Sequence, residues 1–70
     1  MTLPRVPASA VAAGATLDRA GSKDELEALW LASGCDSFRG AARTYLLGIY
    51  KAVCERVDRR ANALRLARAI

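Results

Sequence analysis

Cys35 and Cys54 are the side chains best suited to covalent or metal chemistry, and the 70 residues contain no histidine to assist them. Without histidine there is no Ser-His-Asp triad, no Cys-His pair and no His-ligated metal. A structural zinc needs about four Cys or His ligands, and only two are present. The two cysteines form neither a CxxC motif nor a disulfide framework, so reduced thiols in the cytoplasm are the expectation. Asp58 lies one helical turn beyond Cys54 and opposes a thiolate there. Cys35 stands just before a helix, a position that lowers a thiol pKa. Asp24, Glu25 and Glu27 fall in or beside a capping turn, and Glu55 and Asp58 lie on a helix flank among arginines. Acid–base catalysis needs tuned groups held in a cleft, so these acids read as caps and solvated flanks. No glycine-rich phosphate loop occurs. The expectation is a protein that is not an enzyme and carries no cofactor and no metal.

The remaining candidate chemistry is charge. Net charge is +4, from 11 basic and 7 acidic residues. Residues 22–36 set Lys23 against Asp24, Glu25, Glu27 and Asp36, a net of −3. Residues 51–70 set six bases against Glu55 and Asp58, a net of +4. A basic segment suits nucleic acid or an acidic protein surface. Arginine outnumbers lysine nine to two and alanine reaches 15, a bias typical of GC-rich coding sequence and so of a bacterial or phage source.

These groups must be positioned by helices. Ser22 followed by Glu25 is a capping box, with the Glu25 carboxylate expected to reach back to the Ser22 amide. It opens a short helix over about 22–33, with Leu26, Leu29 and Trp30 on one face. Gly34 occupies the place of a left-handed C-terminal cap. Asp36 or Ser37 is the next N-cap, and nothing stops a long helix over about 37–68. Residues 1–21 read as an arm, or as a weak helix from about Ser9 to Ala20, preceding a hairpin domain of residues 22–70. The run from Val6 to Ala15 is a poor signal peptide because Pro7, Ser9 and Gly14 break it. No run approaches the ~18 apolar residues of a membrane span.

Residues 34–43 followed by Leu46-Leu47-Gly48-Ile49 resemble the C-terminal helix-turn-helix of Fis-type regulators. Thr44 and Tyr45 are extra, however, and Tyr50-Lys51-Ala52-Val53 continues the helix where that motif turns. No family follows from it.

On the long helix, Tyr45, Leu46, Ile49, Val53 and Leu64 form one apolar stripe and Leu47, Tyr50, Cys54 and Val57 an adjacent one. Together they span roughly 200°, twice what one neighbour needs. The short helix covers one stripe. The other is expected to meet a second copy, unless the arm covers it, giving an all-α homodimeric helical bundle. Gly48 lies in a row of small residues with Gly40, Thr44 and Ala52 that would admit a close helix. The functional expectation is a regulator or inhibitor that binds another protein through Leu47, Tyr50, Cys54 and Val57, with Arg56, Arg59 and Arg60 at the rim. The alternative is a DNA- or RNA-binding regulator in which Arg56, Arg59, Arg60, Arg65 and Arg68 contact phosphates.

Overall fold

The computed structural model describes residues 6–68, and these are all-helical with no strand among them. Three helices form: α1 (Ala8–Leu17), α2 (Lys23–Ala32) and α3 (Gly40–Arg68), with a single 3-10 turn at Cys35–Ser37. Residues 1–5 of the arm and 69–70 lie outside the described part.

The local signals act where the sequence places them. The Ser22 hydroxyl accepts from the Glu25 amide at 3.1 Å and starts α2. The Glu25 carboxylate reaches one residue further than expected and accepts from the Gly21 amide at 2.7 Å, so the cap also fixes the turn before it. Gly34 has φ +67° and ends the α2 segment, a conformation that costs an L side chain about 1–2 kcal/mol.

The long helix begins at Gly40, three residues later than expected. Trp30 is the reason. Its indole Nε1–H donates to the Asp36 carboxylate at 2.9 Å, which removes Asp36 as an N-cap. Ser37 Oγ donates to the Gly34 carbonyl at 2.6 Å and closes the 3-10 turn instead. Phe38 is then extended and Gly40 takes φ +61°, the bend from which α3 leaves. From Gly40 onward the helix is unbroken for 29 residues, about 43 Å. There is no turn after Ile49 and hence no helix-turn-helix in this segment.

Of the two readings of residues 1–21, the helix is the one the structure adopts. Residues 8–17 form α1, and its small face packs in cis on α3. Ala10, Ala13, Gly14 and Leu17 are buried. A Cβ built on Gly14 would stand 2.6 Å from Ile49 Cδ1 and 3.0 Å from Tyr45 Cε2. Glycine is what lets the two backbones approach this closely. Part of the wide apolar face of α3 is therefore covered by the protein's own first helix. Alanine-rich α1 has too little apolar contrast for this role to show in its sequence.

The core holds Ala10, Ala13, Leu17, Ala20, Leu26, Trp30, Cys35, Ala42, Leu46 and Val53. Four of the ten are alanines. The contacts also give the directions of the helices. Asp18 and Gly14 meet Arg56 and Ile49, so α1 runs with α3; Lys23 meets Asp58 and Asp36 meets Arg43, so α2 runs against it.

Both helices end early. Every residue from Asp58 to Arg68 is exposed, including Leu64, assigned by sequence to packing, and Leu66. This overhang sets the overall shape, 50 × 30 × 14 Å with a radius of gyration of 14.4 Å. A compact chain of 70 residues would have about 11 Å.

Burial pushes the Cys35 thiol above its ordinary value of 9.0, with nearby Asp36 adding to the effect. This reverses the expectation drawn from its place before a helix, because full burial outweighs the short 3-10 turn. The Asp58 carboxylate raises exposed Lys23 above 10.5 by hydrogen bond and charge. A buried thiol with a raised pKa keeps its proton where the unfolded chain has lost it. Its stabilisation is complete below about pH 9 and is lost as pH climbs from there. The Lys23 contribution is complete below about pH 10.5 and is lost as pH rises through the folded value. Thermal melts are therefore expected to fall on the alkaline side, beginning near pH 9. Cys35→Ala removes the earlier loss, so its drop in Tm between about pH 9 and 10 should be smaller than that of the native chain.

Candidate functional site

The clearest recess is a groove of about 460 Å³ between α2 and α3, lined by Glu27, Trp30, Leu31, Asp36, Arg43, Leu47 and Tyr50. Its construction follows from the antiparallel pairing of these helices. Trp30 projects from α2 onto Tyr50 of α3, edge to face, with ring centroids 5.4 Å apart and planes at 85°. Aromatic pairs favour this geometry because a positive ring edge meets a negative face. Trp30 is anchored at its other end by Asp36. Leu31 and Leu47, 62% and 46% exposed, are the large apolar walls. Arg43 Nη1 donates to the Asp36 carbonyl at 3.4 Å, a weak contact that leaves most of its donors to solvent.

The groove gathers two of the sequence-assigned partner residues, Leu47 and Tyr50. Cys54 and Val57 continue the same line along α3 and are half-buried beside the core. Arg59 and Arg60 are exposed. Arg56 has a different task. Its Nη1 donates to Asp18 Oδ1 at 3.0 Å, and its Nη2 to the carbonyls of Asp18 at 2.7 Å and Ala20 at 3.2 Å. The guanidinium thus takes up carbonyls left open at the end of α1. Arg56 was expected at a docking rim or on phosphates; the structure uses it to hold α1 against α3.

The packing residues divide similarly. Leu26, Trp30, Leu46 and Val53 are buried, and Leu29, Tyr45 and Ile49 partly so. Gly48 faces open space, with nothing within 4 Å of an added Cβ. Gly40, Thr44 and Ala52 in its row are likewise exposed.

Leu31, Glu27 and Asp36 belong to the groove but were not singled out for binding from sequence. Leu31 lies off the core face of α2, and that offset was the available signal. A second, smaller recess of about 260 Å³ lies between α1 and α3 at Val11, Ala15, Tyr45 and Ile49.

Neither recess offers a reactive constellation. No group of three or more His, Cys, Asp or Glu placed to hold a metal ion occurs among the described residues. No described helix is long and apolar enough to cross a membrane. Compared with known protein families, curated proteins and solved structures, the chain matches none.

Proposed function

We propose that this chain is a small non-catalytic interaction protein of regulator or inhibitor type, which binds another protein by taking a helix of it into the α2–α3 groove. The observation that carries this reading is the groove itself. Two large leucines stand exposed in one groove with the edge-to-face Trp30–Tyr50 pair and the charged side chains of Glu27, Asp36 and Arg43. Apolar anchors in a helix-lined groove with a polar rim are what an amphipathic helix recognises. The partner contacts are Leu47 and Tyr50 with Leu31, extended along α3 by Cys54, Val57, Arg59 and Arg60. Self-association into a homodimer belongs to the same reading, since α1 covers only part of the broad face of α3.

The test is affinity capture with the native chain and with a Leu31→Glu, Leu47→Glu double variant. Both positions are surface sites, where substitutions usually change stability within about 0.5 kcal/mol. A protein retained by the native chain and lost with the variant, at unchanged Tm, is the expected outcome. Equal retention by both refutes the groove.

A second reading rests on the overhang. Arg59, Arg60, Arg65 and Arg68 are exposed, and none joins an ion pair among the described residues. Such a helix could lie along a DNA or RNA backbone. Its signature would be duplex binding that weakens steeply between about 50 and 200 mM salt.

A further inference from the structure

Arg43, Leu47, Tyr50, Cys54, Val57, Ala61, Leu64 and Arg68 recur at alternating spacings of four and three residues along α3. That is a heptad seam. The antiparallel α2 flanks the seam as far as Lys23, which bridges Asp58 at 2.9 Å, and leaves Arg43 and Leu47 exposed beside it. Beyond that point the seam continues bare through Ala61, Leu64 and Arg68, all exposed. The groove beside Arg43, Leu47 and Tyr50 and the bare stretch from Ala61 to Arg68 each take in eight residues of α3, about 10 Å from end to end. They lie on the same side of one helix, at its opposite ends.

The charges of the two ends are complementary. Asp58 to Arg68 carries four arginines against one acid, and the α2 segment carries Asp24, Glu25, Glu27 and Asp36 against Lys23. With the Lys23–Asp58 pair set aside, four positive charges remain on the overhang and four negative ones on the α2 side. An 11-residue helix end with no neighbour is also marginal in water. A second neighbour would remedy that.

From this we infer that the occupant of the α2–α3 groove is the Asp58–Arg68 end of α3 from a second copy of this chain, laid antiparallel. The inference rests on the reading of the groove as a helix-docking site and names the helix. In that register Leu64 of the second copy stands level with Leu47, Ala61 with Tyr50, and Arg68 with Arg43 and Asp36. Leu64 enters between Leu31 and Leu47. Arg65 and Arg68 bring positive charge to Glu27 and to the Asp36 carboxylate. Because groove and overhang lie at opposite ends of α3, one two-fold axis satisfies both contacts at once and closes the assembly as a dimer. A foreign partner helix would then compete with self-association for the same groove.

The experiment compares masses in solution by light scattering at rising concentration. The native chain is expected at about 15 kDa, twice its 7.5 kDa, with dissociation favoured by salt. One variant, Arg65→Glu with Arg68→Glu, makes the overhang acidic. A second, Glu27→Lys with Leu31→Lys, makes the groove basic. Each alone is expected at 7.5 kDa with native helicity by circular dichroism. An equimolar mixture is expected to return to twice that mass, because both contacts of the mixed pair are complementary. A native chain that stays monomeric at millimolar concentration overturns the pairing. So does a mixture that fails to assemble from folded variants, or a mass that keeps growing past the dimer. A monomeric native chain leaves the docking of a foreign helix to its own capture test.

Discussion

Replacing Leu46 by alanine is expected to lower stability by about 2–5 kcal/mol, the range for emptying a fully buried leucine site. Leu46 is 0% exposed and sits on α3 where it faces the core shared with α1 and α2. A chain of 70 residues holds about 4–10 kcal/mol in total. The loss is therefore a large fraction of what exists, because a core that is four-tenths alanine has few other large side chains in it. For a domain of this size each kcal/mol moves Tm by about 4–8 °C. The variant should melt at least about 8 °C below the native chain or be unfolded at 37 °C. Fluorescence of Trp30, the one tryptophan, follows the transition. A Tm shift of a few degrees would mean that the site collapses around the smaller residue.

The second large effect is expected at Trp30. Alanine there should cost about 3–5 kcal/mol, through three separate losses. The indole is 8% exposed, so most of its surface leaves the core. Its edge-to-face contact with Tyr50 disappears, worth about 0.5–1.5 kcal/mol beyond the area alone. The Asp36 carboxylate loses its donor, and the 3-10 turn loses its tie to α2. Trp30→Phe separates these terms. It keeps most of the burial and a ring on Tyr50 but lacks the N–H, so it should recover more than half of the stability. Denaturant titrations followed by far-ultraviolet dichroism make the comparison without relying on the lost fluorophore. Equal destabilisation by Phe and Ala would assign the effect to the hydrogen bond rather than to burial.

What could be read in the sequence was local. The Ser22 cap, the left-handed Gly34, the apolar face of α2 and the uninterrupted run of α3 each depend on residues within one or two turns of one another. The last third of α3 was read less well: Leu64 was placed on an apolar stripe and is exposed. What could not be read depends on residues far apart. Gly14 matters because Ile49 and Tyr45 lie across from it, and Arg56 because Asp18, 38 residues earlier, ends a helix beside it. Asp36 looked like an N-cap until the indole of Trp30 claimed its carboxylate. Part of the apolar face of α3 is covered by the arm, through alanines and a glycine that carry little hydropathic signal. The groove was found by half: Leu47 and Tyr50 lie on the helix that was read closely, while Leu31 and Glu27 come from the element laid against it.

The Arg56 clamp also orders events in time. Contacts between α2 and α3 can close progressively outward from the turn, through Trp30–Tyr50 to Lys23–Asp58, whereas those of α1 with α3 all join residues more than 30 apart and carry closure entropy from the first contact. The α1 contacts rest on Leu17, on small side chains and on one guanidinium that solvent can reach. Segments held in this way open locally at a free energy below that of global unfolding. Amide protons of α1 should therefore exchange as a group before those around Leu46, and each such opening would briefly uncover Tyr45 and Ile49.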